Sequence, residues 1–242
     1  MSSTARTLAV LEAFELAKQP LQLRELAARC GLPASTCHTV VRELLSRGYL
    51  YSFGRAKTLY PTRRFLVLGQ TYAAHDPYLR RVTDALEAVR ADTGETVILA
   101  KRQDDAVLYL HVLEGTRPIR YSPKAGDQRE LHATAVGRAL LSNLTDEQLG
   151  AWLKNRTFTR ITSSTTTDPA VIARQVREGR EQGYFVARGE NQEGLTAVAV
   201  TAAVEGEHLG IVIAGPTERM EACLEPAAQR LLRLKEQLRP PG

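Results

Sequence analysis

Residues able to do chemistry concentrate in two places. On a helix predicted over 34–47, a step of about 100° per residue puts Ser35, Thr39, Arg42 and Ser46 on one side, flanked by Thr36 and His38. Cys37, Val40, Val41 and Leu44 fall on the opposite side. Hydroxyls, an imidazole and a guanidinium on such a face can meet phosphate oxygens and base edges in a major groove. The same pattern also fits a plain solvated helix face. Just downstream, Arg55 and Lys57 stand near the tip of a predicted hairpin, where cations suit phosphate contact. The second place is 131–137, Leu-His-Ala-Thr-Ala-Val-Gly. A helix starting near Thr134 leaves the N–H groups of Ala135, Val136 and Gly137 unpaired and outward, which favours a carboxylate. Thr134 reads equally well as the N-cap of that helix. His132 reads either as a donor to a ligand or as a structural histidine beside an apolar helix.

Other chemistries find no support. The cysteines are Cys30, Cys37 and Cys223, an odd number at no metal-ligand spacing. They read as reduced thiols, with neither a disulfide framework nor a zinc site expected. There is no Gly-x-Ser-x-Gly elbow, no phosphate-binding Gly-Lys-Ser/Thr loop and no His-Glu-x-x-His. Asp127 and His132 can be paired on paper, but no nucleophile fits beside them. Neither enzymatic activity nor a cofactor is expected. No apolar run approaches the ~18 residues of a membrane span, and no secretory signal stands at the N-terminus, so a cytoplasmic protein without a membrane partner is expected.

The elements that must position these residues follow from periodicity and from Gly and Pro. A chain of 242 residues accommodates one large or two modest domains. Helices are predicted over 4–17, with Leu8, Leu11, Phe14 and Ala17 inward, and over 23–29. Gly31 supplies the positive φ of a tight turn, and Pro33 leads into the helix over 34–47. Strands over 49–53 and 57–61 then flank Gly54. Residues 1–75 hold ten basic and four acidic side chains, so the whole positive excess lies in the first third. Helix, short helix, tight turn, helix and basic hairpin is the pattern of a winged helix-turn-helix.

A connecting helix is predicted over 62–75 and a longer one over 78–92. Strands follow over 96–101, 107–113 and 118–122, then helices over 134–143, 145–154 and from Asp168 to Gly183. Strands over 184–188, 196–204 and 209–214 precede a final helix over 217–238. The Ser- and Thr-rich stretch 157–167 reads as a mobile loop. Mixed helices and strands fit an α+β domain with an antiparallel sheet.

Four segments resemble the IclR family of bacterial transcription factors, in order and over nearly the whole chain. They are LRELAARCGLPASTCHTVVRELLSRGYL, LHATAVGRALLS (131–142), VREGREQGYFVARGENQEGLTAVAV (176–200) and GIVIAGPTERM (210–220). The resemblance implies a winged helix-turn-helix over 1–62, a linker helix over 63–77 and a GAF-like effector-binding domain over 78–242. It also implies a homodimer or homotetramer on double-stranded promoter DNA, regulated, most simply as a repressor, by a small-molecule effector.

Ser35 and Thr36 match the family's Ser-Thr pair and are expected on phosphate. The family usually has arginine where this chain has Thr39, which alters the operator read and leaves Arg42 to reach the groove. Positions that match the polar anchors of 2-oxo-acid-binding members are here Ala187, Ala197, Val212 and Ala214. Small apolar walls admit larger, less polar ligands. The expected effector is therefore an aromatic or otherwise apolar carboxylic acid, or a derivative, with its polar end at 135–137. Two alternatives stay open: these small residues pack a closed core that binds no effector, or the protein senses a metabolite and acts through a protein partner.

Overall fold

The computed structural model describes residues 1–154 and 156–239. The C-terminal limit expected at 242 lies outside the described residues. The chain divides into two compact units, Met1–Asp76 and Pro77–Gly242.

In the first unit, α1 (Ser3–Ala17) opens at Ser2, whose hydroxyl accepts from the Ala5 amide. Its buried face is Val10, Ala13 and Phe14, and Leu8, expected inward, is 52% exposed. A strict three-residue step slips about 60° per repeat around a 3.6-residue helix, so four such positions cannot share one face. α2 (Leu23–Arg29) starts at a reciprocal Gln22–Glu25 cap. α3 (Ala34–Ser46) buries Cys37, Val41 and Leu44. β1 (Leu50–Phe53) and β2 (Thr58–Pro61) form an antiparallel hairpin. Leu21 and Leu59 exchange both backbone hydrogen bonds, 3.1 and 2.8 Å, which ties the connection between α1 and α2 to the hairpin. α4 (Arg64–His75) follows, with Phe65 packed against Tyr49.

The second unit is α+β. Its elements are α5 (Leu79–Thr93), β3 (Thr96–Gln103), β4 (Ala106–Leu113), β5 (Gln128–Glu130), α6 (Ala135–Leu141), α7 (Asp146–Leu153), α8 (Pro169–Gln182), β6 (Phe185–Arg188), β7 (Leu195–Val204), β8 (Glu207–Pro216), α9 (Thr217–Ala222) and α10 (Leu224–Gln237). The strands make one antiparallel sheet in the order β5-β4-β3-β8-β7-β6. Alternate residues serve opposite faces. Ile98, Ala100, Val212 and Ala214 pack with α6, α7 and α8, while Val97, Leu99, Ile211 and Ile213 pack with α5 and α10. Expected caps at Thr145–Gln148 and at Asp168 are present.

Three expectations are corrected. Residues 118–122 form no strand. Pro118 and Pro123 lack N–H groups, and the carbonyls of Ile119 and Tyr121 are taken by Arg219 and by the Thr96 hydroxyl instead. A short β5 fills the sheet edge. The final helix is broken at Cys223, because Pro226 has no N–H to donate and its ring clashes with the carbonyl four residues back. The loop 157–167 is tied down: Phe158 and Thr165 are buried, and the hydroxyls of Thr162 and Thr165 donate to the carbonyls of Gly189 and Glu190.

Candidate functional site

On α3, Ser35, His38, Thr39 and Arg42 are exposed and Thr36 is half-buried. Burial of Cys37, Val41 and Leu44 against α1 and α2 turns this hydrophilic face outward. Thr39 donates its hydroxyl to the Ser35 carbonyl at 3.1 Å, so its methyl and remaining lone pairs face solvent. Arg47 is ion-paired with Glu43 on the same helix. Arg42 has no ion-pair partner among the described residues. Arg55 and Lys57 are exposed in the turn joining β1 and β2, with Lys57 in the left-handed region at φ 49°. Tyr51 and Phe53, exposed on β1 with ring centres 5.7 Å apart, were not anticipated as surface groups. With Leu50 buried, strand alternation puts Tyr51 and Phe53 together on the opposite, outward face.

In the second unit a narrow cavity of about 20 Å3 lies between the sheet and the start of α6. Its sheet side is apolar, with Ile98, Leu195 and Val212 beside the small Ala187, Ala197 and Ala214. Its other walls are Ala133 to Val136, Tyr109, Tyr121 and the loop residues Glu190, Asn191 and Gln192. Seven of the expected residues thus converge on one space: Thr134, Ala135, Val136, Ala187, Ala197, Val212 and Ala214. The cavity is more polar than expected, because the tyrosines and the loop contribute hydroxyls, amides and a carboxylate. Tyr109 follows from β4 alternation with Val107. Tyr121 sits in an irregular loop and carried no signal.

Two expectations at this site are corrected. The Gly137 amide is spent, donating to the Thr134 hydroxyl at 3.0 Å. That hydroxyl also donates to the Glu130 carbonyl, so Thr134 is the N-cap of α6. Only the Ala135 and Val136 amides lack a partner among the described residues. His132 does not line the cavity: it is buried, its Nε2 lies 3.0 Å from the Thr159 carbonyl, and its ring packs on Phe158. It ties the loop 157–167 to the start of α6.

Gly137 has a different role. A Cβ there would run into the Leu131 backbone, which cannot yield. Gly137→Ala is therefore expected to lower the thermal midpoint by several degrees. Gly150→Ala on α7, where a Cβ meets open space, is expected to hold or raise it, since alanine favours a helix by about 0.5–1 kcal/mol. A differential scanning experiment on the two variants checks the contrast.

The loop over the cavity is held by a buried ion pair that the sequence reading missed. Arg138 of α6, 1% exposed, donates to both carboxylate oxygens of Glu190 at 2.7 and 2.8 Å. It also donates to the carbonyls of His132 and Val186 and to Gln175 of α8. The available signal was a lone cation inside an otherwise apolar helix.

Burial raises the thiols of Cys30, Cys37 and Cys223 alike. Burial, with Cys30 beside it, pushes the Cys37 thiol up to about 11 and keeps it protonated. Burial likewise raises the Tyr109 phenol well above its ordinary range. No described helix is long and apolar enough to cross a membrane.

A helix-turn-helix unit with an exposed polar recognition face, joined to an α+β unit with an internal cavity, defines a DNA-binding regulator with a sensory domain. Residues 3–52 match the IclR helix-turn-helix domain, and residues 70–237 match the bacterial transcriptional regulator IclR C-terminal domain. The chain belongs to the IclR family of transcriptional regulators and is not an enzyme.

It is similar to the HTH-type transcriptional regulator BhcR of Paracoccus denitrificans, 30% identical over 83% of this chain and 72% of that one. It is also similar to the acetate operon repressor of Salmonella typhimurium, 26% identical over 91% and 82%. Its fold matches that of an IclR homologue from Microbacterium hydrocarbonoxydans complexed with 4-hydroxybenzoate, with a TM-score of 0.78, 24% identity, and 98% and 97% of the two chains covered.

Proposed function

We propose that this regulator is a ligand-responsive repressor. Residues 1–62 bind double-stranded promoter DNA, 63–77 link, and 78–242 sense an aromatic or otherwise apolar carboxylic acid or a derivative of one. Ser35, Thr36, His38, Thr39 and Arg42 meet the major groove, and Arg55 and Lys57 hold phosphate. The protein works as a homodimer or homotetramer in the cytoplasm. Large apolar side chains left exposed on α4, Leu66, Val67 and Tyr72, support self-association. The repressor name of the Salmonella relative supports the sign of regulation.

The observation that carries the effector reading is the cavity. Apolar side chains, three of them alanines, cover its sheet side, and the unpartnered Ala135 and Val136 amides stand in its wall. Such a lining suits a flat apolar body and offers hydrogen bonds to an acid or amide, and the ligand enters by widening the narrow space between loop and sheet. α6 is a short helix and Gly137 is spent, so two amides, rather than three and a long-helix dipole, supply the anion contact. The Microbacterium homologue, of the same fold, holds an aromatic acid of this class.

A thermal-shift screen tests the reading. Benzoate-type and phenylacetate-type acids and their amides are compared with pyruvate and glyoxylate. A ligand at 100 times its Kd adds roughly 2.7 kcal/mol. The expected result is a selective rise with aromatic acids; a rise only with 2-oxo acids, or none with any acid, overturns it. On the DNA side, Arg42→Ala is expected to reduce the slope of log K against log salt by about one, measured by anisotropy titration.

A further inference from the structure

Tyr121 presents a buried polar group that the fold leaves unanswered. The residue is 8% exposed and lines the cavity. Its hydroxyl has no hydrogen-bond partner among the described residues. The Tyr109 hydroxyl and the Arg129 guanidinium are its polar neighbours, at the edge of hydrogen-bond reach. Buried hydroxyls are nearly always bonded, because leaving one unpaired costs its desolvation.

The backbone that carries the hydroxyl is held in place. The buried Thr96 hydroxyl donates to the Tyr121 carbonyl at 2.5 Å and accepts from the Gly115 amide at 3.0 Å. Two residues earlier, the Ile119 carbonyl accepts from Arg219, itself fixed by both oxygens of the buried Glu95. A loop without strand or helix is thus pinned on both sides of Tyr121. Pre-positioned polar groups in an otherwise apolar pocket are what orient a ligand.

We infer that Tyr121 is a specificity-determining residue, whose hydroxyl pairs with an oxygen substituent carried by the effector in addition to its acid group. The inference rests on the effector reading above and narrows it: the preferred ligand is an oxygen-substituted aromatic acid, discriminated from its unsubstituted parent. A site built to hydrogen-bond a ligand oxygen rejects the analogue lacking it, because its own polar group then stays buried and unpaired.

The test is calorimetric titration of the full chain and of Tyr121→Phe with benzoate, 3-hydroxybenzoate and 4-hydroxybenzoate. In the wild type the better hydroxybenzoate is expected to bind about tenfold tighter than benzoate. In Tyr121→Phe that preference is expected to collapse to under about twofold, with benzoate affinity retained. The ligand-free variant is expected to keep or raise the thermal midpoint, since it loses an unpaired hydroxyl.

If the acids bind but wild type shows no preference, or the variant keeps it, the Tyr121 assignment is overturned and the effector cavity stands. A clear fall in the ligand-free midpoint also overturns it, by showing that the hydroxyl is bonded within the protein. If no acid binds either protein, both readings fail.

Discussion

Replacing Arg138 by methionine is expected to destabilise the second unit by about 3–5 kcal/mol, the cost of leaving a buried carboxylate without its partner. Glu190 is buried in the cavity wall, and Arg138 answers both its oxygens. Methionine fills similar volume but offers no donor. It would also strip the carbonyls of His132 and Val186 of a hydrogen bond. For a domain of this size each kcal/mol moves the midpoint by about 2–4 °C, so a fall of roughly 6–20 °C is expected by calorimetry. Adding Glu190→Leu should recover part of the loss, because the two residues form one network and their effects cannot add. A midpoint within 2 °C of wild type would mean that the pair does not hold the loop.

The triple variant Arg42→Ala, Arg55→Ala, Lys57→Ala is expected to lose about a hundredfold or more in DNA affinity at low salt. Three contacts at about 1 kcal/mol or more each give that factor. The salt slope should flatten by about 2.7 units, at roughly 0.9 per phosphate contact. All three side chains are exposed, so the thermal midpoint should not move. Anisotropy titrations from 50 to 200 mM salt separate the outcomes. An unchanged slope would remove these cations from the interface.

How much of this was legible in the sequence depended on how local the signal was. The α3 face could be read because Cys37, Val41 and Leu44 carry a clear helical stripe, which fixes where Ser35, Thr39 and Arg42 point. Caps at Thr145 and Asp168 were legible for the same reason: each is a side chain bonding a backbone group two or three residues on. The cavity was half legible. Ala187, Ala197, Val212 and Ala214 came from the match to the family's anchor positions, and strand pairing sets Ala187, Ala197 and Ala214 side by side.

Tyr121 and the Arg138–Glu190 pair depend on contacts across many residues, which no local pattern encodes. His132 was misplaced because its partner, the Thr159 carbonyl, sits 27 residues on in a loop read as mobile. That loop is ordered by Thr162 and Thr165, whose hydroxyls look in sequence like solvation. Thr134 and Gly137 show a further limit. The amides of a helix start can be counted from sequence, but whether the cap consumes one of them cannot.

The most direct measurement is equilibrium binding of the full chain to a labelled duplex enriched from a random-sequence library. It is titrated with and without a saturating aromatic acid chosen by thermal shift. The expected result is sequence-selective, salt-dependent binding whose Kd shifts at least about fivefold when the acid is present, the lower end of typical coupling between two sites. If no duplex is enriched, or if a bound acid leaves the Kd unchanged, the protein is not a ligand-responsive DNA-binding regulator of the kind proposed.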